Sequence, residues 1–223
     1  CCDPTLLGAL VTLGYAASRT DATLRTAAMS PTPRQGRPAE ILVDPVASVV
    51  VLPSGTHLDP GGVGKGLAAD LVTSELLDLG ASGALVEIGG DLRACGRPPL
   101  GEAWTIGVAG SSATNGATLR LCDGGVATST SRLRRWTTAG GEQHHLLDPR
   151  TGLPTRTDTV SCTVVAGTAA MAEAFTKVAF VLGPEPAIDT FDRRGLAARI
   201  VTEDGASVTS QAWSHFDTSG APQ

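Results

Sequence analysis

Lysine is nearly absent from this chain of 223 residues: fifteen of its seventeen basic residues are Arg, which leaves only Lys65 and Lys177. No Lys/Arg-rich run occurs, and the net charge is −5. Nucleic-acid backbones are held by clustered positive charge, so this balance excludes nucleic acid as the main partner and favours a small ligand or a protein. No uninterrupted apolar run reaches the roughly 18 residues of a membrane span, and no stretch has a signal-peptide pattern. CxxC spacing is missing as well. The five cysteines, at 1, 2, 95, 122 and 162, are odd in number, which argues against a disulfide framework or zinc site and predicts buried thiols. What the chain does have is apolar mass, 42% hydrophobic residues with positive mean hydropathy, enough for one large domain or two small lobes. It opens "CCDPT" without an initiator Met, which predicts a processed product, a fragment or missing upstream residues, with a lipid-bearing N-terminal Cys as a rival reading.

Apolar spacing predicts a helix over 5–17, started by Asp3-Pro4. Residues 18–39 hold three prolines and little periodicity, and read as a surface excursion. Short β-type runs follow at 40–43 and 47–52. The strongest helix spans 64–80, with Leu67, Leu71, Val72 and Leu76 assigned to its buried face and Gly80 to its C-cap. Strands are predicted at 84–91, 103–110, 117–122, 161–167 and 197–205, and helices at 168–182 and 184–192. Strands come in runs rather than in strict alternation with helices, which favours an α+β fold.

Five stretches could carry chemistry. "DPGGVGKG" (59–66) places four glycines, an acid and Lys65 where a loop enters a helix, a place whose unpaired N–H groups and partial positive charge suit phosphate. It lacks P-loop spacing, and a tight turn with a solvated lysine explains it equally well. "EIGGD" (87–91) closes a strand on a close-approach turn. "VATSTSR" (126–132) offers hydroxyl and basic groups after a strand, read either as solvated turn hydroxyls or as holders of phosphate or ribose oxygens. "HHLLDPRTGLP" (144–154) brings two of four histidines near Asp148 on a constrained path, where an imidazole could serve as general base on a hydroxyl or be a surface group beside a capped turn. On the helix "MAEAFTKVAF" (171–180), Glu173 and Lys177 are i and i+4 in the order that favours an ion pair. Their neighbours are apolar, so a buried pair there needs further partners to offset desolvation.

Taken in this order, the segments resemble the FAD:protein FMN transferase family, also called ApbE. "CDPT" is similar to the family's FDPT segment, "DPGGVGKGLAAD" to its D-x-G-G-x-x-K-G-x-x-x-D loop and helix, and "ALVEIGGDLRACG" to its strand ending in GGD. "VATSTSR" is similar to its ATSG turn, "HHLLDPRTGLP" to HHIIDPxTGxP, and "TVVAGTAAMAEAFTKVAFVLG" to its T-V-I-A helix segment. The six motifs are collinear over residues 2–183. The resemblance implies an α+β fold, an α-β roll with a mixed, largely antiparallel sheet and packed helices, forming a single domain over 1–223. It also implies a chain lacking the family's usual start, and an extracytoplasmic or membrane-anchored location. The implied activity cleaves FAD, attaches FMN by a phosphoester to a Ser or Thr of an acceptor flavoprotein, and releases AMP with Mg²⁺. Charge neutralisation and a positioned hydroxyl are what that chemistry needs.

Carried over residue by residue, the resemblance makes Asp59 and Lys65 contacts to FAD, with Thr128 and Ser129 lining the nucleotide pocket and Leu147 against the flavin nucleotide. His145 becomes the general base. Gly62, through its carbonyl, Glu173 and Thr176 become metal ligands. Two departures stand out: Thr130 replaces a glycine, and Lys177 occupies the place of a metal-binding Thr. A lysine ammonium has three donors and no acceptor, so it cannot ligate Mg²⁺. Lys177 therefore either contacts the pyrophosphate in place of the cation or assists a retained one. A non-catalytic flavin-nucleotide binding protein and an FAD diphosphatase yielding FMN and AMP are the competing expectations.

Overall fold

The computed structural model describes residues 2–15, 38–110, 116–139 and 141–219. The chain divides into two compact units, Cys1–Gly62 with Ser131–Arg156, and Val63–Thr130 with Thr157–Gln223. Among the described residues, no helix is long and apolar enough to cross a membrane.

In the first unit α1 (Leu7–Thr12) is shorter than the apolar spacing over 5–17 predicts. It closes early because Leu13 and Gly14 donate to the Ala9 and Val11 carbonyls, and residues 16 and 17 lie outside the described residues. Of the excursion at 18–39, only its end is described, in a 3₁₀ turn over Pro38–Glu40. A hairpin of β1 (Leu42–Asp44) and β2 (Val49–Val51) follows, in register Leu42↔Val51.

The chain then enters the second unit with α2 (Gly64–Asp78), β3 (Gly83–Ile88), β4 (Asp91–Gly96), β5 (Trp104–Val108), β6 (Ala117–Leu121) and β7 (Gly124–Thr130). It returns to the first unit for two small hairpins, β8 (Arg135–Thr138) with β9 (Gly141–His144) and β10 (Leu147–Asp148) with β11 (Leu153–Pro154). Their core is Leu10, Trp136 and Leu147, with the Trp136 indole donating to the Leu13 carbonyl at 2.6 Å. The second unit is completed by β12 (Thr159–Ala166), α3 (Ala169–Leu182), α4 (Pro184–Arg193), β13 (Ala197–Thr202) and β14 (Ser207–Thr209).

Six of these strands form one sheet in the order β14-β13-β12-β7-β4-β3, antiparallel at every pairing. Its centre is β12, a Val- and Thr-rich run almost wholly buried, as expected of a strand covered on both faces. Alternation assigns the two faces. Ser129 reaches Thr176 on α3, so its face of β7 looks to the helices. Val126 belongs to the other face, in a core with Leu92, Ile106, Leu119, Val165 and Trp213 built beneath the β5–β6 ribbon. The α+β architecture is as the sequence predicts.

Three expectations are corrected. Residues 126–130 are not a turn after a strand but the body of β7 itself, because the Thr and Ser hydroxyls that suggested a turn find partners across the sheet and on α3. The cysteines are not uniformly buried: of the four described, Cys162 is buried mid-strand in β12, Cys95 is intermediate, and Cys2 and Cys122 are exposed.

The third correction is the face of α2. Leu67, Leu71, Val72 and Leu76 point outward, exposed by 47, 62, 44 and 39%, while Gly66, Ala69 and Thr73 are buried. Apolar residues occur around most of this helix, so contact with α3 is decided by size rather than by hydrophobicity. A β-carbon on Gly66 would stand 2.6 Å from the Ala170 amide nitrogen, inside any allowed contact. The face of Gly66, Ala69 and Thr73 is the buried one, and at Gly66 the absence of a side chain lets α2 lie against the start of α3.

Candidate functional site

In the second unit α2 starts without a side-chain cap of its own. The first turn of a helix presents amides that have no intrahelical partner, and Glu173 of α3 supplies one: its Oε2 accepts the Gly66 N–H at 2.9 Å. A carboxylate at a helix N-terminus is also favoured by the helix dipole. Glu173 is 1% exposed. Its second oxygen, Oε1, is buried without a hydrogen bond and lies 3.4 Å from Lys65 Nζ and 3.9 Å from Lys177 Nζ. Lys177 is anchored from its own helix, donating to the Glu173 carbonyl at 2.8 Å. Burial pushes the Glu173 carboxyl above the usual carboxylate range, opposed by the Gly66 N–H and by the charges of Lys177 and Lys65.

Lys65 pairs in addition with Asp91, the first residue of β4 and 1% exposed, whose other oxygen accepts the Thr128 N–H at 3.2 Å. Thr128 Oγ1 meets Thr163 Oγ1 at 2.9 Å. Thr176 is fully buried and gives its one hydroxyl proton to the Glu173 carbonyl at 2.7 Å, so Ser129 is the donor in the 2.6 Å contact between Ser129 Oγ and Thr176 Oγ1. Thr130 turns its hydroxyl to the Val160 carbonyl on β12. Of the residues singled out from the sequence, Lys65, Thr128, Ser129, Glu173, Thr176 and Lys177 are thus gathered into one connected cluster.

Two members were not singled out. Asp91 is the acid of "EIGGD", and an acid closing a glycine turn at a strand start was its signal. Asp70 ends the "DPGGVGKGLAAD" stretch, and from α2 it accepts the Ala169 and Ala170 amides of α3 at 2.8 and 2.9 Å. Arg93 lies 3.5 Å from Asp70 and 2.7 Å from Asp123.

The remaining residues belong to the first unit. Asp59 Oδ1 accepts the Gly61 N–H at 2.8 Å and so shapes the 3₁₀ turn Pro60–Gly62, while the Gly62 carbonyl accepts from Cys2 Sγ at 3.8 Å. Leu147 is buried in the Leu10–Trp136 core. His145 is half-buried beside it in sequence. Asp148 is engaged by Arg150 at 2.7 Å, which holds its carboxyl below the usual range, so this carboxylate serves the β10–β11 turn.

His144 has a fixed tautomer. Its Nδ1 accepts the Leu146 N–H at 3.3 Å, which leaves Nε2 to donate to the Thr155 carbonyl at 3.0 Å. Burial lowers its pKa from 6.5, and the nearby Arg135 charge acts in the same direction. The unfolded chain therefore binds this proton more readily. Stability is retained above the ordinary imidazole range and declines as pH falls from it through the lower folded value. An NMR titration of the His144 ring should give a midpoint below 6.5; a midpoint at or above that value would contradict the burial argument.

Of the donors that the resemblance assigns to Mg²⁺, Glu173 and Thr176 lie in the second unit. Thr176 donates to the Glu173 carbonyl and accepts from Ser129, which leaves its oxygen a single lone pair, and Glu173 Oε1 faces two ammonium groups. Such a set does not fit a hard dication, which seeks oxygen ligands and keeps its own water.

The family model described as "ApbE family" matches residues 2–200. The protein named "FAD:protein FMN transferase" from Escherichia coli (strain K12) is 34% identical over 154 residues, 68% of this chain and 44% of its own length. The protein of the same name from Haemophilus influenzae is 30% identical over 161 residues, 70% of this chain and 46% of its own. The chain thus spans less than half the length of these relatives. Among solved structures, the ApbE protein of Thermotoga maritima is similar with a TM-score of 0.78 at 29% identity, over 96% of this chain and 71% of that one. The apo form of the flavinyl transferase ApbE from Pseudomonas stutzeri is similar with a TM-score of 0.77 at 26% identity, over 99% and 70%.

Proposed function

The chain belongs to the ApbE family, and from that premise we propose that it serves as an FAD:protein FMN transferase. FAD is the substrate, the acceptor is a Ser or Thr hydroxyl of a flavoprotein, and AMP leaves. The observation that carries this reading is the start of α2, where Lys65 stands 30% exposed in front of two carboxylates that are each 1% exposed. An ammonium on a helix N-terminus is suited to the oxygens of a diphosphate, whose charge must be neutralised as the bond between the phosphates breaks. Asp59, Thr128, Ser129 and Leu147 serve the nucleotide in this reading. His145 takes the proton of the acceptor hydroxyl while its oxygen bonds to the FMN phosphorus, and the P–O bond to the AMP phosphate breaks with its electron pair leaving on AMP.

Full-length protein incubated with FAD and a candidate acceptor flavoprotein, in Mg²⁺ and in EDTA, should give flavin fluorescence on the acceptor in a denaturing gel and free AMP in step with it. Neither product in any medium would end the reading. AMP without labelled protein, across several acceptors, would identify a diphosphatase instead. His145→Ala should slow transfer by about 10²- to 10⁴-fold, the usual contribution of a general base, while FAD binding is kept. Unchanged transfer would remove His145 from this role.

A further inference from the structure

We infer that Glu173 is the counter-ion of two lysines rather than a metal ligand, and that Lys65 and Lys177 together receive the diphosphate without a divalent cation at Glu173. The diphosphate half of this rests on the FMN-transferase reading; the Glu173 half does not.

The only two lysines of the chain converge on one buried carboxylate from positions more than a hundred residues apart. Glu173 Oε2 is taken by the Gly66 amide, and Oε1 carries no hydrogen bond but lies within 3.9 Å of both ammonium groups. A dication coordinated to Oε1 at about 2.0–2.1 Å would share that oxygen with two like charges at close range, an arrangement that weakens its binding steeply.

Exposure gives the cluster a direction. The Lys65 and Lys177 side chains are 30 and 15% exposed, and those of Asp91 and Glu173 are each 1% exposed. The carboxylates are behind and the ammonium groups in front, so an anion arriving from solvent meets positive charge. Lys177 is already oriented by its bond to the Glu173 carbonyl. Lysine commonly holds phosphate as a point charge of this kind.

The test uses the full-length protein with Mn²⁺ alone as one probe and FAD as the other. Electron paramagnetic resonance should detect no saturable Mn²⁺ site in the absence of nucleotide. FAD affinity, read by calorimetry, should agree within about twofold between EDTA and Mg²⁺. Lys177→Thr, checked for folding by its melting curve, should lose about tenfold in FAD affinity in EDTA and recover it on adding Mg²⁺. Lys177→Arg, which keeps the charge, should bind in EDTA as the parent does. A saturable Mn²⁺ site in the parent, or an FAD affinity that rises about tenfold with Mg²⁺, would overturn the inference. So would a Lys177→Thr variant indistinguishable from the parent in both media. Absence of FAD binding in every medium would overturn the functional reading and the diphosphate half with it, and the Mn²⁺ titration would still decide the role of Glu173.

Discussion

Gly66→Ala should lower the melting temperature by roughly 5–10 °C, as expected for overpacking of about 2–3 kcal/mol in a chain of this size. The added methyl group would meet the backbone of Ala169 and Ala170, which cannot move aside as a flexible side chain could. Either α2 or α3 must shift. Both helices carry the cluster, so the shift also stretches the bond from the Gly66 amide to Glu173, and FAD affinity should fall together with stability. Gly107→Ala is the control: a β-carbon there meets nothing within 4 Å, and the backbone is not in the left-handed region. Its melting temperature should stay within about 2 °C of the parent. Equal melting curves for the two variants would show that the close approach of α2 to α3 is not what holds this unit together.

The second large effect is expected from Lys65→Met, which should slow FMN transfer by about 10²- to 10³-fold, the range seen when a charge-stabilising group is removed from an active site. The same change leaves Asp91, 1% exposed, without its cation. Removing one partner of a buried pair costs about 3–5 kcal/mol; with the Lys65 side chain 30% exposed, a loss near 2 kcal/mol is expected because water already screens it. Transfer rate and urea unfolding are the two measurements. Transfer within about tenfold of the parent would place the charge-stabilising role elsewhere. Asp91→Asn offers a cross-check, since it removes the buried charge while keeping an oxygen for the Thr128 amide.

How far the sequence foretells this site depends on the range of each interaction. Glu173 and Lys177 share a helix face, so their pairing could be read from spacing alone, and so could the need for additional partners. Which partners meet that need could not, because Gly66 and Lys65 arrive from another helix 107 and 108 residues away in sequence. The strand β12 and the helix α3 were legible within two residues, since apolar runs mark both. The hydroxyl-rich β7 was not. Its Thr and Ser side chains look like turn residues until Thr163, Thr176 and the Val160 carbonyl are known to face them. The exposed leucines of α2 mark the same limit from the other side, where a hydrophobic pattern present almost all round a helix does not say which residues touch its neighbour.

Asp70 has a consequence for binding. By holding the first amides of α3 from a position on α2, it fastens together the two helices that carry Lys65 and Gly66 on one side and Glu173 and Lys177 on the other. The relative placement of the two ammonium groups is therefore settled during folding. A ligand arriving at such a site loses its own freedom but need not restrict that of the protein, and the unfavourable entropy of association is correspondingly smaller.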